Sequence, residues 1–385
     1  MDKKLADVLD REIARVLPRV RELRHAIHAC PEIAFDEHRT RAAVIKMIAR
    51  TSISLRKPLI GTDIVADLAV RGAKKTVCLR ADMDALPMVE ETGVKYASRN
   101  KGFMHACGHD GHTAILAGTA LVLSRLSKHL RANVRFVFQP GEELECCGSL
   151  LVKKGALRGV SEAYALHGWH GYPVGSVVCK NGVFFAANGT FYIVVRGKGT
   201  HGAMPEEGRN PIPVASEIVD KLDDLHVNVK RAYGAVISVC SINAGVNSNI
   251  IPERAVISGT TRFFTPRVGN ALRQSIASIA AASGKRHGVN VHFVYESRYH
   301  EPVVNTDAGF AAVKEAAALA GERFIEAKKP LMASEDFAFY LTRNDGALFL
   351  LGLGDRSPKL HTPAFDFNDE AIEHGIRMFS RLLVS

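Results

Sequence analysis

Apolar positions across residues 5–29 recur at three- and four-residue spacing, and the pattern returns over 37–50. That periodicity predicts two amphipathic helices. Short, nearly continuous apolar runs follow: "DIVADLAV", the "TVCLRA" of "KKTVCLRADMDALP", the "VRFVF" of "ANVRFVFQPGEE", and "SEAYALHG". Runs of this length bounded by turn residues read as strands buried on both faces. Between the second and third lies "TAILAGTALVLSRLSKHL", an Ala/Leu-rich stretch that reads as an apolar helix. Strands alternating with helices predict a parallel or mixed sheet covered on both faces.

The texture changes near residue 183. "FFAANGTFYIVVRGK" is a long strand pattern, "NPIPVASEIVDKLDDLHVNV" an amphipathic helix, and "GAVISVCSINAG" and "RAVISGTTRFF" are strands. "VGNALRQSIASIAAASGKRHG" reads as a helix and "NVHFVYES" as a last strand. The order β-α-β-β-α-β is that of a ferredoxin-like unit. A helix over 307–321, the strand "GALFLLGLG" and a C-terminal helix then resume the first pattern. The expected organisation is a catalytic domain in two pieces, 1–182 and 297–385, interrupted by an inserted domain at 183–296; a chain of 385 residues is long enough for both.

Composition narrows the class. With 47% hydrophobic and 23% charged residues the chain can bury a full core. No apolar run reaches the ~18 residues of a membrane span. The charged stretch "MDKKLADVLDREIARVLPRV" lacks the apolar centre of a signal peptide, so a cytoplasmic protein with no membrane partner is expected. The net charge of +10 comes from 50 Lys and Arg scattered among 40 acids. A nucleic-acid binder gathers its basic residues in a stripe, so no nucleic-acid partner is expected. Seven cysteines, an odd number without framework spacing, point to thiols or metal ligands.

The candidate chemistry sits where the strand patterns end. Asp82 and Asp84 follow "CLRA", Glu142 and Glu143 follow "RFVFQPG", His167 closes "AYALH", and His361 lies in "GDRSPKLHTPAFDF" after another apparent strand. "HACGHDGH", His105 to His112, opens a helix. Ligands of open α/β sheets collect beyond the carboxyl ends of strands. Taken singly, each signal has an ordinary explanation. "HACGHDGH" alone could be a helix-capping loop, "PGEE" a solvated helix start, and His167 a hydrogen-bonded core histidine. Cys107 with a histidine partner would also serve as a thiol nucleophile, but that leaves Glu142, Glu143 and His361 unused. Together, imidazoles, carboxylates and a thiol suit zinc, manganese, nickel or cobalt. Adjacent glutamates divide the labour: one carboxylate holds metal while the other takes the proton of metal-bound water.

"LRADMDALPM", "MHACGHDGHTA", "FQPGEE", "ALHG", "GKGTHGAMPEEGRNPI", "NSNIIPERAVISGTTR", "ASEDF" and "HTPAFDF" occur in this order. Over nearly its whole length the chain thereby resembles the metal-dependent amidohydrolases that include hippurate hydrolases, N-acyl-amino-acid amidohydrolases and auxin-conjugate hydrolases, within the aminoacylase and carboxypeptidase group of dinuclear metallopeptidases. The resemblance implies an α/β fold, a three-layer αβα catalytic domain of zinc-peptidase type with a ferredoxin-like lid that also forms a homodimer. It implies two divalent metal ions per subunit, held by Cys107, His109, Glu143, His167 and His361. Glu142 falls on the general base and Asp84 on an aspartate that supports the site. His201 matches a lid histidine that reaches a neighbouring active site, and Asn249 and Arg262 match lid positions on the substrate's carboxylate side.

The implied activity is hydrolysis of an N-acyl amino acid to a carboxylate and a free amino acid. A dipeptidase or aminopeptidase on the same dinuclear site is the nearest rival, and a catalytically silent binding protein a more distant one. Two features depart from the pattern. "LECCGS" puts Cys146 and Cys147 where glycines usually follow the paired glutamates, and "HGWH" puts Trp169 and His170 after His167, where an acyl pocket or simple packing would use them.

Overall fold

The computed structural model describes residues 3–296 and 301–384. The chain divides into two compact units, one made of Met1–Phe184, Val304–Pro330 and Asp336–Ser385, the other of Phe185–Val303 and Leu331–Glu335. The boundary expected after residue 296 adjoins 297–300, which lie outside the described residues.

The first unit is built on an eight-stranded mixed sheet. Its order is Ser54–Leu55, Ile64–Leu68, Asn133–Gln139, Thr76–Asp82, Glu162–Trp169, Asp345–Gly352, Val177–Cys179, Phe324–Glu326. The four central strands run parallel to one another, while Ile64–Leu68 and Val177–Cys179 pair antiparallel to that block. Register stacks Leu79 beside Phe136 and Tyr164, all fully buried in the main core. The helices Lys3–His28, His109–Arg125 and Glu370–Arg381 pack together against this core. Every residue from His109 to Leu123 is buried, and a helix enclosed on all sides must be apolar on all sides. That is why this stretch shows little amphipathic periodicity.

Alternate positions on the same strands carry a different cargo. Arg80 is wholly buried, and its guanidinium donates to Gln139, Asp82 and Asp336. The strands Ser54–Leu55, Val177–Cys179 and Phe324–Glu326 have two or three residues each. Segments so short display no period, so sequence patterning passes over them.

The second unit is a four-stranded antiparallel sheet in the order Val236–Ala244, Arg254–Phe263, Ala187–Arg196, Asn290–Glu296. The helices Pro211–Tyr233 and Pro266–His287 pack on it around a separate core containing Phe191, Ile193, Ile218, Ile257 and Ile276. Both helices start at a side-chain cap, Asn210 and Thr265, and end at a left-handed glycine, Gly234 and Gly288. This is the ferredoxin-like arrangement. A two-stranded ladder pairs Thr200–His201 with Ile250–Ile251.

Candidate metal centre

Four adjacent strands deliver the candidate residues at their carboxyl ends. Thr76–Asp82 leads directly to Asp84. Asn133–Gln139 turns through Pro140 and Gly141 into Glu142 and Glu143. His167 stands near the end of Glu162–Trp169, and the loop after Asp345–Gly352 brings in His361. Cys107 precedes Gly108, whose left-handed φ of +82° lets the chain turn into the helix beginning at His109.

The side chains converge. Cys107 Sγ lies 3.4 Å from His167 Nε2 and 3.2 Å from His361 Nε2. His361 Nε2 is 3.1 Å from Glu143 Oε1. Ligand atoms of Cys107, His109 and His167 lie within 4.8 Å of one another, as do those of Cys107, Glu143 and His361, and those of His109, Glu142 and Glu143. Cys107 therefore belongs to two of these groups, and its thiol stands between them.

The imidazoles are aimed. His109 Nδ1 faces the Asp84 carbonyl at 3.0 Å and its carboxylate at 3.3 Å. His167 Nδ1 faces the Gly168 carbonyl at 2.8 Å. An acceptor at Nδ1 holds a proton there and turns Nε2 inward. His109 Nε2 is buried without a hydrogen-bond partner among the described residues. Asp84 also accepts the Glu143 N–H at 2.9 Å, so one carboxylate orients a histidine and the loop holding a glutamate.

His201, Asn249 and Arg262 all lie in the second unit. His201 and Asn249 are exposed and adjacent: the Asn249 carbonyl accepts the Gly202 N–H at 2.7 Å, and His201 pairs with Ile250. Arg262 is half-buried on Arg254–Phe263, where its guanidinium donates to Thr260 Oγ1 at 2.5 Å and the Thr261 carbonyl at 3.0 Å. No carboxylate pairs with it among the described residues.

The profile of the peptidase family M20/M25/M40 matches residues 78–385. The chain belongs to this family. The resemblance read from its motifs is thereby confirmed. It is 34% identical to an N-acetyl-L-cysteine deacetylase of Bacillus subtilis over 91% of this chain and 84% of the relative. With an N-acyl-L-amino acid amidohydrolase of Geobacillus stearothermophilus it shares 35% identity, over 74% of this chain and 78% of that one. The crystal structure of a Bacillus subtilis M20 protein described as a dinuclear metal-binding peptidase superposes with a TM-score of 0.84 at 30% identity, covering 96% and 98% of the two chains.

The buried cluster carries a strong negative potential. Burial pulls His109 down, but Asp82, Asp84 and Glu143 overcome it and push it up to about 10. The negative potential that does this is the potential that attracts a divalent cation. Burial holds the Cys107 thiol well above its usual range, with Glu143 and Glu142 adding to it. His167 is kept well below its usual value by burial and by neighbouring His112, which leaves a neutral imidazole able to coordinate. A thiol, imidazoles and a carboxylate around two overlapping groups suit divalent metals. Among the described residues no helix is long and apolar enough to cross a membrane.

Other buried polar residues surround this cluster. Asp82 accepts His112 Nδ1 at 2.6 Å and Arg80 at 2.7 Å, and His112 Nε2 accepts the Gly168 N–H at 2.7 Å. Asp336 accepts Arg80, Gln139 and Gly148 at 2.7–2.8 Å, and its own N–H donates to Glu142 Oε1 at 3.4 Å. Asp110 is held by Arg24 at 2.9 Å and His28 at 2.8 Å. Its place at a strand end already marked Asp82, which shares a strand face with Arg80. Nothing in the sequence hinted that Asp336, from "ASEDF", would meet them. Cys147 sits beneath the turn before Glu142, where a side chain on Gly141 would touch its sulfur, and Trp169 packs its ring against His167 and His170.

Proposed function

We propose that the protein hydrolyses the amide bond of N-acyl amino acids, giving a carboxylate and a free amino acid. The observation that carries this is the convergence of a His109 ring nitrogen and the Glu142 and Glu143 carboxylates within 4.8 Å at the carboxyl edge of the sheet. In this reading Cys107, His109, Glu143, His167 and His361 hold two divalent metal ions. When bound, the metals supply Lewis acidity and lower the pKa of attacking water towards neutrality.

Glu142 accepts the water's proton as the oxygen attacks the acyl carbon, and returns it to the amide nitrogen as the carbon–nitrogen bond breaks. Buried and held by the Asp336 N–H, its carboxylate is kept in one orientation for both transfers. Arg262, half-buried with no carboxylate partner among the described residues, binds the substrate's free carboxylate with its planar fork, and Asn249 assists it. His201 of the partner subunit donates to the developing oxyanion. The inserted unit acts as lid and dimer surface. The names of the amidohydrolase and deacetylase relatives support the acyl-amino-acid class.

The test is a panel of N-acetyl, N-benzoyl and longer N-acyl amino acids set against free dipeptides. Each is assayed on enzyme reconstituted separately with Zn, Mn, Co and Ni. Release of free amino acid from acylated substrates, with dipeptides untouched, is the expected result. Turnover of dipeptides alone would overturn it.

A further inference from the structure

The segment between the first two helices, residues 29–37, supplies none of the proposed ligands, yet it is tied to two of the loops that do. The Glu32 carbonyl accepts the N–H of Ala85 at 2.8 Å, one residue past Asp84. Glu37 is wholly buried and reaches the other loop. Its Oε1 accepts the Gly141 N–H at 3.0 Å and its Oε2 accepts the Thr62 hydroxyl at 2.7 Å. On its other side the Gly141 carbonyl accepts the Cys147 N–H at 3.2 Å. The residue directly ahead of Glu142 is thus gripped through both its backbone groups.

The segment is itself fixed against local preference. Phe35, an exposed aromatic, has a φ of +68°. A bulky residue stays in that region only where its surroundings over-determine the backbone. Glu32 and Glu37 provide this on either side of it: the Glu32 carboxylate accepts the N–H groups of Arg39 and Thr40 and the Thr40 hydroxyl at 2.9–3.0 Å. Strained segments that are anchored at both ends and touch a reaction centre are candidates for a role in placing it.

We propose that Glu37 is a positioning residue for the hydrolysis: through Gly141 it fixes where the Glu142 and Glu143 carboxylates stand. This rests on the assignment of Glu142 as base and Glu143 as ligand. A carboxyl group suits the task because its two oxygens meet two donors. Glutamine retains both contacts, with Oε1 on Gly141 and its NH2 turned to the Thr62 oxygen. Alanine retains neither.

The test compares Glu37→Ala, Glu37→Gln and Thr62→Val in the full chain loaded with Mn2+. It measures kcat and KM on an N-acyl amino acid, and amide exchange in peptides covering 140–147. Glu37→Ala should lower kcat by about tenfold or more with KM little changed, since the loss falls on the reacting groups and not on binding. Exchange over 140–147 should rise about tenfold while 109–125 is unchanged, because only the local opening equilibrium shifts. Glu37→Gln should restore both readouts. A purely structural role would lower the folded fraction and leave kcat per active site unaltered. Where Glu37→Ala does not fold, Thr62→Val decides, with faster exchange over 140–147 expected. Wild-type kcat and exchange in Glu37→Ala, or wild-type exchange in Thr62→Val, would overturn the proposal. A wild-type enzyme inactive on every N-acyl amino acid would sink the proposed function, and the exchange arm would still decide the clamp.

Discussion

His361 Nε2 stands 3.2 Å from the sulfur of Cys107, a residue 254 positions away in the chain. The same sulfur lies 3.4 Å from His167 Nε2. One thiol therefore connects the two overlapping groups of candidate ligands. Replacing Cys107 with Ser should weaken metal retention, by more than the roughly 10–100-fold typical of losing a supporting partner. Metal titration of the apoprotein, read by equilibrium dialysis, checks this. Wild-type metal affinity would remove Cys107 from the ligand set.

Glu142→Gln separates metal binding from proton transfer. The variant keeps the side chain's size and should keep its metal content. Its kcat should fall by about 10²–10⁴-fold, the range a positioned general base contributes. Metal analysis alongside steady-state kinetics reads both. Unchanged turnover would remove Glu142 from the mechanism.

In the proposed mechanism Arg262 binds the substrate's free carboxylate. Arg262→Ala should lower kcat/KM by about 10–100-fold for N-acyl amino acids, on the 1.5–3 kcal/mol scale of a charge-assisted hydrogen bond. An N-acyl amine lacking the carboxylate should be hydrolysed equally by both forms. A common loss on both substrates would mean that Arg262 serves the fold instead.

Gly141 has a φ of +60°, and a Cβ there would lie 2.7 Å from Cys147 Sγ. Gly141→Ala should cost about 1–2 kcal/mol in backbone strain alone, and the contact with sulfur adds to it. In the double variant Gly141→Ala, Cys147→Ala the contact is relieved and the backbone strain remains. Urea unfolding of the two variants should differ accordingly; equal stabilities would show that the loop shifts freely.

Glu37 gives stability a pH dependence. Burial raises its carboxyl from 4.5 to about 7, against the pull of the Thr62 hydrogen bond. The fold therefore favours the protonated form. Its stabilising contribution is complete below the unfolded value near 4.5 and disappears as pH rises to about 7. The full swing is on the order of 3 kcal/mol. Glu37→Gln, always neutral, should gain stability relative to wild type between pH 5 and pH 8 in the metal-free protein. Parallel pH profiles in urea unfolding would contradict the shift.

Much of the molecule was legible because it is local. Periodicity marked the long helices and central strands, since each repeats its burial pattern over many residues. The β-α-β-β-α-β order of the second unit came from the same signal. Placing the polar residues after strand patterns foretold that Asp84, Glu142, Glu143, His167 and His361 would share an edge, because parallel neighbours end on the same side. The two- and three-residue strands escaped notice because they are too short to repeat a period.

Contacts between distant residues were decided only by the tertiary structure. Asp82 and Asp84 sit two positions apart, yet the strand ends at Asp82 and the two part ways. Asp82 turns to Arg80 and His112, while Asp84 turns to His109 and the Glu143 backbone. Likewise, sheet order and register set Arg80 beside Gln139 and bring Asp336 to both. The sequence alone determined which chemical groups the protein has and which strand ends carry them, because secondary structure follows from neighbours along the chain. Which atoms meet within 3–4 Å depends on the packing of strands and loops hundreds of residues apart, so the Cys107–His361 approach and the Glu37 grip on Gly141 became visible only in the folded chain.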